Sequence, residues 1–194
     1  MKVSREQAAE NRNHIIDVAG RLFRERGFDG IGVANLMKAA GLTHGGFYGH
    51  FESKEDLAVA ACERVLARTT ELWPAIVAKH PEAPLEGLLD RYLTARHRDE
   101  PGEGCIYAAL ATDVARQNSP ALRRAFTTAL RPLIDTLVRI VPGRSTGARR
   151  QKALACLSAM VGAIILARAV DDPELSDEIL AAARASSGEP SPRV

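Results

Sequence analysis

The segment 41–54, GLTHGGFYGHFESK, restricts the possible fold of this chain more than any other stretch of it. It reads as a turn, a very short helix and the start of a further helix. Phe47 and Phe51 lie four residues apart, so they share one helical face and can form a small aromatic core. The residues off that face are polar, and they are His44, Tyr48, His50 and then Lys54. The segment therefore predicts a short helix with one buried and one exposed side.

The rest of the chain reads as almost entirely helical, because Ala and Leu dominate and no run alternates with period two. Gly27 and Gly41 are expected to end the first two helices. Ser53 and Asp56 form a capping box for a long fourth helix. The predicted helices cover about 5–26, 33–40, a short third helix from Leu42-Thr43, 53–79, 84–98, 105–117, 120–141, 147–170 and 173–186. The fold class is therefore all-α.

The length of 194 residues suits a small head and a larger body with its own core. We expect an N-terminal helix-turn-helix domain over 1–52 and a larger helical body over 53–186. The tail over 187–194 is rich in Gly, Pro and Ser, which predicts disorder.

Charge and cysteine content narrow the class of protein. Residues 1–54 hold eight Lys/Arg and six Asp/Glu, so the formal charge of +2 lies at this end of the chain. This bias weakly favours nucleic acid as a partner of the head. Three widely spaced cysteines argue against a disulfide framework and for a reducing, cytoplasmic setting.

Two features argue against secretion and membrane insertion. The first 15 residues are charged and polar, so we expect no signal peptide. The apolar run 153–167 is 15 residues long, shorter than the roughly 20 that span a bilayer, which predicts a helix buried in protein.

The second and third helices, joined at Ala40-Gly41-Leu42-Thr43, predict a helix-turn-helix. Thr43 can cap the third helix, whose N-terminal end would enter the major groove of DNA. His44 and His50 lie six residues apart and do not share a helical face, which argues against a metal site.

Residues 12–57 resemble the DNA-binding region of the TetR/AcrR family of bacterial transcriptional regulators. The resemblance rests on Ile15-Ile16 to Phe23, Gly27-Phe28, Ala40-Gly41-Leu42, the FYGHF core and the opening of the fourth helix at 53–57. It covers about a quarter of the chain closely, while the remainder agrees in length and helix order. It implies a homodimeric regulator, most often a repressor, that a small molecule releases from its operator.

The resemblance also implies which residues contact DNA. The contacts to phosphates would come from Tyr48, His50 and Lys54, and those to base edges and backbone from Thr43, His44, Gly45 and Gly46. Ile31-Gly32 departs from the family, which usually has a hydroxyl residue at the opening of helix two, so that contact is lost and the cap is weaker. Base readout would then rest on Thr43, His44 and Lys38, with DNA shape contributing.

The helix at 147–170 has small residues along one side, which lets another helix approach closely: Ala155, Ala159, Gly162 and Ala163. Because the family dimerises through its C-terminal helices, we expect an interface from about 119–141 and 147–170. The alternative, that 147–170 is the central core helix of the body, is compatible with this, since a long helix has two faces to bury.

By the resemblance, a small-molecule pocket lies among the middle helices, and the sequence does not indicate which kind of molecule it binds. Its candidate lining, each member of which can equally be plain core, is Trp73, Tyr92, His97, Tyr107, Phe126 and Met160.

Cys105 opens a helix directly after Glu103-Gly104, where the positive end of the helix dipole lowers a thiol pKa. A Gly-Cys pair at this place resembles a subgroup of TetR-like regulators that includes sensors of electrophiles or oxidants. The alternative, a small buried residue that starts a helix, is the one we favour. Cys62 and Cys156 lie inside apolar helical stretches and are expected to be inert.

Two other classes of protein compete with a regulator. An enzyme could use Cys105, His97 and Asp113 as nucleophile, base and orienter. No Gly-rich phosphate loop, paired-histidine metal spacing or nucleophile elbow supports it, so we expect no catalysis, cofactor or metal. A helical ligand-binding protein without a DNA role would have no reason to expose Tyr48, His50 and Lys54 together.

Overall fold

The computed structural model describes residues 4–188, and within them the chain is helical without a β-strand. This confirms the all-α class. The α-helices are α1 (Arg5–Arg26), α2 (Val33–Ala39), α3 (Lys54–Lys79), α4 (Pro84–Tyr92), α5 (Ala95–Asp99), α6 (Ile106–Arg116), α7 (Pro120–Ile140), α8 (Thr146–Ala169) and α9 (Pro173–Gly188). Two 3₁₀ helices lie between them, at His44–Gly49 and Pro101–Glu103.

Glycine ends the first two helices as the sequence predicts. Gly27 has φ 74°, and its N–H donates to Phe23 O at 2.8 Å. Gly41 has φ 69° and donates to Lys38 O at 3.0 Å. Side chains strain the backbone at such φ values, so glycine is required at both turns.

The third helix of the head is a 3₁₀ helix rather than an α-helix. Six residues, two of them the adjacent glycines 45 and 46, give little α-helical propensity. Thr43 occupies the N-cap position, but its side chain makes no capping bond, contrary to the prediction. Gly46 N–H donates instead to Thr43 O, at 3.0 Å.

The N-terminal ends of α2 and α3 differ in their capping. Gly32 caps α2 without a side-chain bond, as its lack of a hydroxyl predicts. Ser53 Oγ accepts from Asp56 N at 3.0 Å, which confirms half of the capping box. Asp56 Oδ2 accepts from Glu52 N at 3.4 Å rather than from Ser53.

The prediction of a single helix over 84–98 is wrong, because the helix is interrupted between α4 and α5. Thr94 is extended, with φ −130° and ψ 152°, and its side chain accepts from His97 N at 3.1 Å. A threonine that caps a new turn competes with continuation of the old helix. Cys105 is likewise the N-cap of α6 rather than its first residue.

The predicted disordered tail begins too early. Ser187 and Gly188 belong to α9, and Ser187 is buried. The remainder of that tail, 189–194, lies outside the described residues.

The chain divides into two compact units. The first unit is Met1–Ala67 with Pro101–Phe126, and the second is Arg68–Glu100 with Thr127–Val194. The boundary near residue 52 stays a prediction, since the first unit also takes in the start of α3 and all of α6.

Each unit has its own apolar core. In the first unit α1 packs on α2 and α6, and its large fully buried side chains include Phe23, Phe47, Leu57, Ile106 and Leu110. In the second unit α8 packs on α9 and α5. Its most deeply buried side chains include Leu88, Leu133, Leu137, Met160 and Ile164.

Candidate nucleic-acid interface

The 3₁₀ helix at His44–Gly49 has one buried and one exposed side, as its sequence predicts. Phe47 is 1% exposed and Phe51 is 2% exposed, with ring centroids 5.6 Å apart. Tyr48, which lies between them in sequence, is 68% exposed. The two phenylalanines therefore hold the helix against the core of the first unit, and the tyrosine points to solvent.

His44 and Tyr48 lie side by side on the exposed side. Their ring centroids are 6.2 Å apart and the rings meet edge to face. His50 is half-buried against Phe51, with centroids 6.4 Å apart. Thr43 is exposed.

The glycines of this helix leave its backbone open. A Cβ on Gly45 would meet nothing within 4 Å, whereas one on Gly46 would lie 3.5 Å from Thr43 Oγ1. A surface without side chains lets another backbone or a phosphate come close. The backbone of this helix is therefore open to another molecule at Gly45, and also at Gly49, where an added Cβ would likewise meet nothing within 4 Å.

Two lysines flank the 3₁₀ helix in the chain. Lys38 is exposed in the last turn of α2. Lys54 is half-exposed at the first position of α3 and lines a cleft of about 330 Å³. The other walls of the cleft include Phe28, Glu55 and the turn at 117–119.

Arg12 is a basic residue of this surface that sequence reasoning missed. Its guanidinium carbon lies 4.9 Å from the centroid of the Phe51 ring, an arrangement that favours cation–π attraction. Arg12 is exposed. The two residues are 39 positions apart, so no local spacing could have revealed the contact.

Two side chains, Arg24 and Asp113, fasten the segment around α6 to α1 and to the turn after it. Arg24 Nε donates to Gly102 O at 2.9 Å, and a second donor of the same guanidinium reaches the same oxygen. Asp113, in the last turns of α6, accepts from Phe28 N at 3.0 Å. Asp113 thus satisfies a backbone N–H in the turn that follows α1.

The predicted pocket residues fall into three groups. In the second unit Tyr92 contacts Trp73, with centroids 6.2 Å apart, and His97, at 4.5 Å. In the first unit the Tyr107 hydroxyl donates to Phe126 O at 2.9 Å, and the rings lie 5.1 Å apart. The third group is Met160, fully buried, with its sulfur 3.7 Å from Cys156 Sγ.

The titrations of two of these side chains are shifted by burial. Burial lowers the pKa of His97, whose Nδ1 lies 2.6 Å from Tyr92 O. Burial also raises the pKa of the Tyr107 phenol. Both groups therefore favour their neutral forms.

All three cysteines are free thiols and buried. Burial raises the pKa of Cys62 to about 12 and also raises the pKa of Cys156. These two thiols remain protonated at neutral pH, in keeping with the expected inertness. Cys105 is 9% exposed at the N-cap of α6, between the two contacts that fasten this segment to α1 and its turn.

The small residues predicted for an interface do not all face outward. Ala155 is exposed, Ala159 and Gly162 are half-buried, and Ala163 is 5% exposed within the core of its own unit. The open side of α8 carries larger apolar side chains as well, with Leu154 42% and Leu166 56% exposed. In the single chain, α8 therefore has one side buried in its own unit and one apolar side open, which leaves the predicted dimer interface on α8 a prediction.

Within residues 4–188, α8 alone is long and apolar enough to cross a membrane by length and composition. In its most apolar window 39% of the residues are buried in the protein. Its packing on α9 and α5 accounts for that buried side without a bilayer.

Known proteins resemble this chain in sequence. A family model described as bacterial regulatory proteins, tetR family, matches residues 15–61. The HTH-type transcriptional regulator AcrR of Shigella flexneri is 39% identical over 85 residues, which are 44% of this chain and 40% of AcrR. The HTH-type transcriptional repressor NemR of Escherichia coli K12 is 40% identical over 67 residues, 32% of this chain and 34% of NemR.

The likeness in structure extends over nearly the whole chain. The crystal structure of the reduced form of E. coli NemR matches with a TM-score of 0.75 at 26% identity, and it covers 92% of this chain and 95% of NemR. The family model covers residues 15–61, so this region of the chain is similar to bacterial regulatory proteins of the tetR family, and the fold is similar to that of NemR. The chain spans only 40% of AcrR and 34% of NemR in sequence, so the similarity identifies neither an effector nor an operator.

Proposed function

We propose that the protein is a DNA-binding transcriptional regulator of the cytoplasm, a repressor that a small molecule releases from its operator, and not an enzyme. The observation that carries this proposal is the exposed Tyr48 beside His44, held out by the buried Phe47. Because about two-thirds of Tyr48 is exposed while its neighbour Phe47 is buried, the tyrosine is available to contact another molecule and contributes little to the core. The AcrR and NemR relatives are transcriptional regulators, which supports the same class.

The proposed docking places the N-terminal end of the 3₁₀ helix in the major groove. Thr43 and His44 would meet base edges, with Lys38 at the rim, and the open backbone at Gly45 and Gly46 allows a close approach. Tyr48, His50 and Lys54 would bind phosphates, which position the protein on the duplex without reading its sequence. Arg12 adds a further cation to the phosphate contacts.

A two-fold operator requires a dimeric reader. The open side of α8, with Leu154, Ala155 and Leu166, provides an apolar surface for it. Because α9 packs along α8 and exposes Leu175, we place the interface on α8 and α9, with Ala159 and Gly162 at its edge. This replaces α7 of the sequence-based expectation by α9.

The effector would bind among the middle helices. Trp73, Tyr92 and His97 form one aromatic group in the second unit, and Tyr107 with Phe126 forms another in the first, so each group is a candidate lining within its own unit. Since α6 is fastened to α1 and to the turn after it, a shift of α6 would be passed to the helix-turn-helix. In the proposed mechanism that shift takes the two heads of a dimer out of register with successive major grooves.

A second candidate for the signal is an electrophile or oxidant that modifies Cys105. The observation in its favour is the position of this thiol at the N-cap of α6, between the Gly102 and Asp113 bonds. Added bulk at that point would displace the first turn of α6. Operator binding with and without a mild electrophile, for wild type and Cys105→Ser, separates the two signals, because only a non-covalent effector acts on the serine variant.

The test of DNA binding starts from an operator selected out of random duplexes. Fluorescence anisotropy then compares wild type with Tyr48→Ala and Lys54→Ala, and with the matched controls Tyr48→Phe and Lys54→Arg, which keep the ring and the charge. We expect the alanine variants to lose about tenfold or more in affinity, and Lys54→Ala to lower the slope of log affinity against log salt by about 0.9. If no duplex is enriched by the selection, the proposed function is wrong.

A further inference from the structure

The helix-turn-helix region carries little net charge for a surface that binds a polyanion. Residues 1–54 carry a net charge of only +2, and the following part of α3 offsets it, so that residues 1–67 hold nine Lys/Arg and nine Asp/Glu. Affinity for DNA depends on several cations placed at the phosphates. The head therefore relies on a few well-placed groups, or receives positive charge from elsewhere in the chain.

A basic segment lies in the same compact unit, at the turn between α6 and α7. No acidic residue stands between Asp113 and Asp135, whereas Arg116, Arg123 and Arg124 fall within nine residues. All three arginines are exposed. The turn that joins them, 117–119, belongs to the first unit together with the helix-turn-helix.

The turn lies beside the predicted phosphate contact of α3. Gln117, Asn118 and Ser119 line the same cleft of about 330 Å³ as Lys54, and two carboxylates, Asp29 and Glu55, line it as well. Arg116 directly precedes Gln117 at the end of α6. Arg123 lies one helical turn after Ser119, so it is on the same face of α7.

The side chain of Arg123 is directed back across this turn. Its guanidinium donates to Ala115 O at 2.9 Å, which places the charge at the C-terminal end of α6, next to Arg116. Two exposed guanidinium groups therefore flank the turn that shares a cleft with Lys54.

We infer that Arg116 and Arg123 form a second phosphate-binding surface, which extends the DNA interface from the helix-turn-helix onto the turn between α6 and α7. The inference rests on the proposed function, because the turn lies beside Lys54, and only the predicted phosphate contact of Lys54 makes DNA the expected anion. Guanidinium groups suit the role, since they pair with phosphate oxygens in a bidentate manner. The contact reads no sequence, so it strengthens operator and random duplex alike.

A purely structural role for the two arginines makes a different prediction. A cation near a helix C-terminus stabilises the helix through its dipole, and Arg123 also satisfies a terminal carbonyl. In that case their loss lowers the stability of the fold and leaves the salt dependence of DNA binding unchanged.

The experiment measures the affinity for the selected operator and for a random duplex, between about 50 and 200 mM salt. The proteins are wild type, Arg116→Gln, and the double variant Arg116→Ala with Arg123→Ala. Arg124→Ala is the control, because it removes the same charge from the next position, about 100° further round α7. A second control, Arg116→Lys with Arg123→Lys, keeps both charges.

We expect the slope of log affinity against log salt to fall by about 0.9 for every phosphate contact that is lost. The double alanine variant should lose affinity for both duplexes by the same factor. The double lysine variant should keep most of the wild-type slope, and Arg124→Ala should change the slope least. If the double variant folds poorly, Arg116→Gln replaces it in the experiment, because this substitution leaves the hydrogen bond from Arg123 to Ala115 O in place. A wild-type slope in Arg116→Gln and in the double variant overturns the inference, as does an equal effect of Arg124→Ala.

The outcomes also separate this inference from the proposed function. If wild type binds an operator and Tyr48→Ala weakens that binding while the arginine variants keep the slope, only the second surface is wrong. If wild type binds no DNA, both proposals fail together.

Discussion

The carboxylate of Asp113 in α6 accepts a hydrogen bond from the backbone N–H of Phe28 at 3.0 Å. Phe28 lies in the turn that leads from α1 into the helix-turn-helix, 85 residues earlier in the chain. The same carboxylate leaves room beside it only for a glycine, since a Cβ on Gly27 would lie 2.8 Å from Asp113 Oδ2. One side chain of α6 thus anchors this turn and adds a steric contact at a position where the positive φ already requires glycine.

Asp113→Ala should destabilise the fold by about 1–3 kcal/mol, because it leaves the Phe28 N–H without its acceptor. Urea denaturation followed by circular dichroism gives the free energy of unfolding. Asp113→Asn is the control, since its amide oxygen can still accept the bond and its loss should be clearly smaller. Equal losses in the two variants would mean that the carboxylate acts through its charge and not through this bond.

Gly27→Ala should be more destabilising than Gly41→Ala. Both positions have positive φ, but Gly27 has φ 74° and ψ 170°, a region that is essentially restricted to glycine and costs about 1–3 kcal/mol for other residues. An added Cβ at Gly27 also collides with Asp113, whereas at Gly41 it meets nothing within 4 Å. Thermal unfolding of the two variants checks the order. Gly45→Ala, at an open position without positive φ, should unfold at nearly the wild-type temperature.

The stability of the protein should fall as the pH drops below the ordinary His97 pKa of 6.5. Burial lowers the pKa of His97 in the folded protein, so between the two values the unfolded chain binds more protons. The stabilising contribution of neutral His97 is therefore present above pH 6.5, and it is lost as the pH falls toward the pKa of His97 in the folded protein. Urea denaturation at pH 7.5 and 5.5 should show a smaller difference for His97→Gln than for wild type. His14→Gln is the matched control, because it makes the same substitution at an exposed position.

Cys62 should resist alkylation in the folded protein at pH 8. Burial raises the pKa of this thiol to about 12, so almost none of it is the reactive thiolate. Treatment with iodoacetamide, followed by peptide mass spectrometry, should find Cys62 modified only after unfolding in urea. Rapid modification of the native protein would show that the first unit opens at α3 far more readily than its packing indicates.

The sequence was sufficient to predict the all-α class and the two-sided recognition segment. The opposite sides of Phe47 and Tyr48 follow from helical periodicity, since spacing along one helix decides which side is buried. Phe51 lies beyond the end of the 3₁₀ helix, where its N–H donates to Phe47 O at 3.0 Å. Gly27 and Gly41 were also predictable, because the end of a helix is a local event.

The features that the sequence did not reveal depend on contacts distant in the chain. Arg12 lies over a ring 39 positions away, and Asp113 bonds to a residue 85 positions away. The break at Thr94 was missed for a local reason, as a threonine inside an apolar helical pattern can either continue the helix or cap the next one. Ala163 was assigned to the outer side of α8, but its neighbours Met160 and Ile164 are buried on the same side of the helix.

Leu166→Glu should convert the proposed dimer into a monomer and abolish operator binding. Leu166 is 56% exposed on the open side of α8, so a carboxylate there costs the single chain little but is buried without a partner in the interface. Sedimentation velocity at micromolar concentration gives the oligomeric state, and anisotropy with the selected operator gives the binding. Tyr48→Ala is the complementary control, because it should weaken DNA binding and leave the dimer intact. A Leu166→Glu protein that still sediments as a dimer would place the interface away from this side of α8, while one that is monomeric and binds operator at full affinity would remove the need for a dimeric reader.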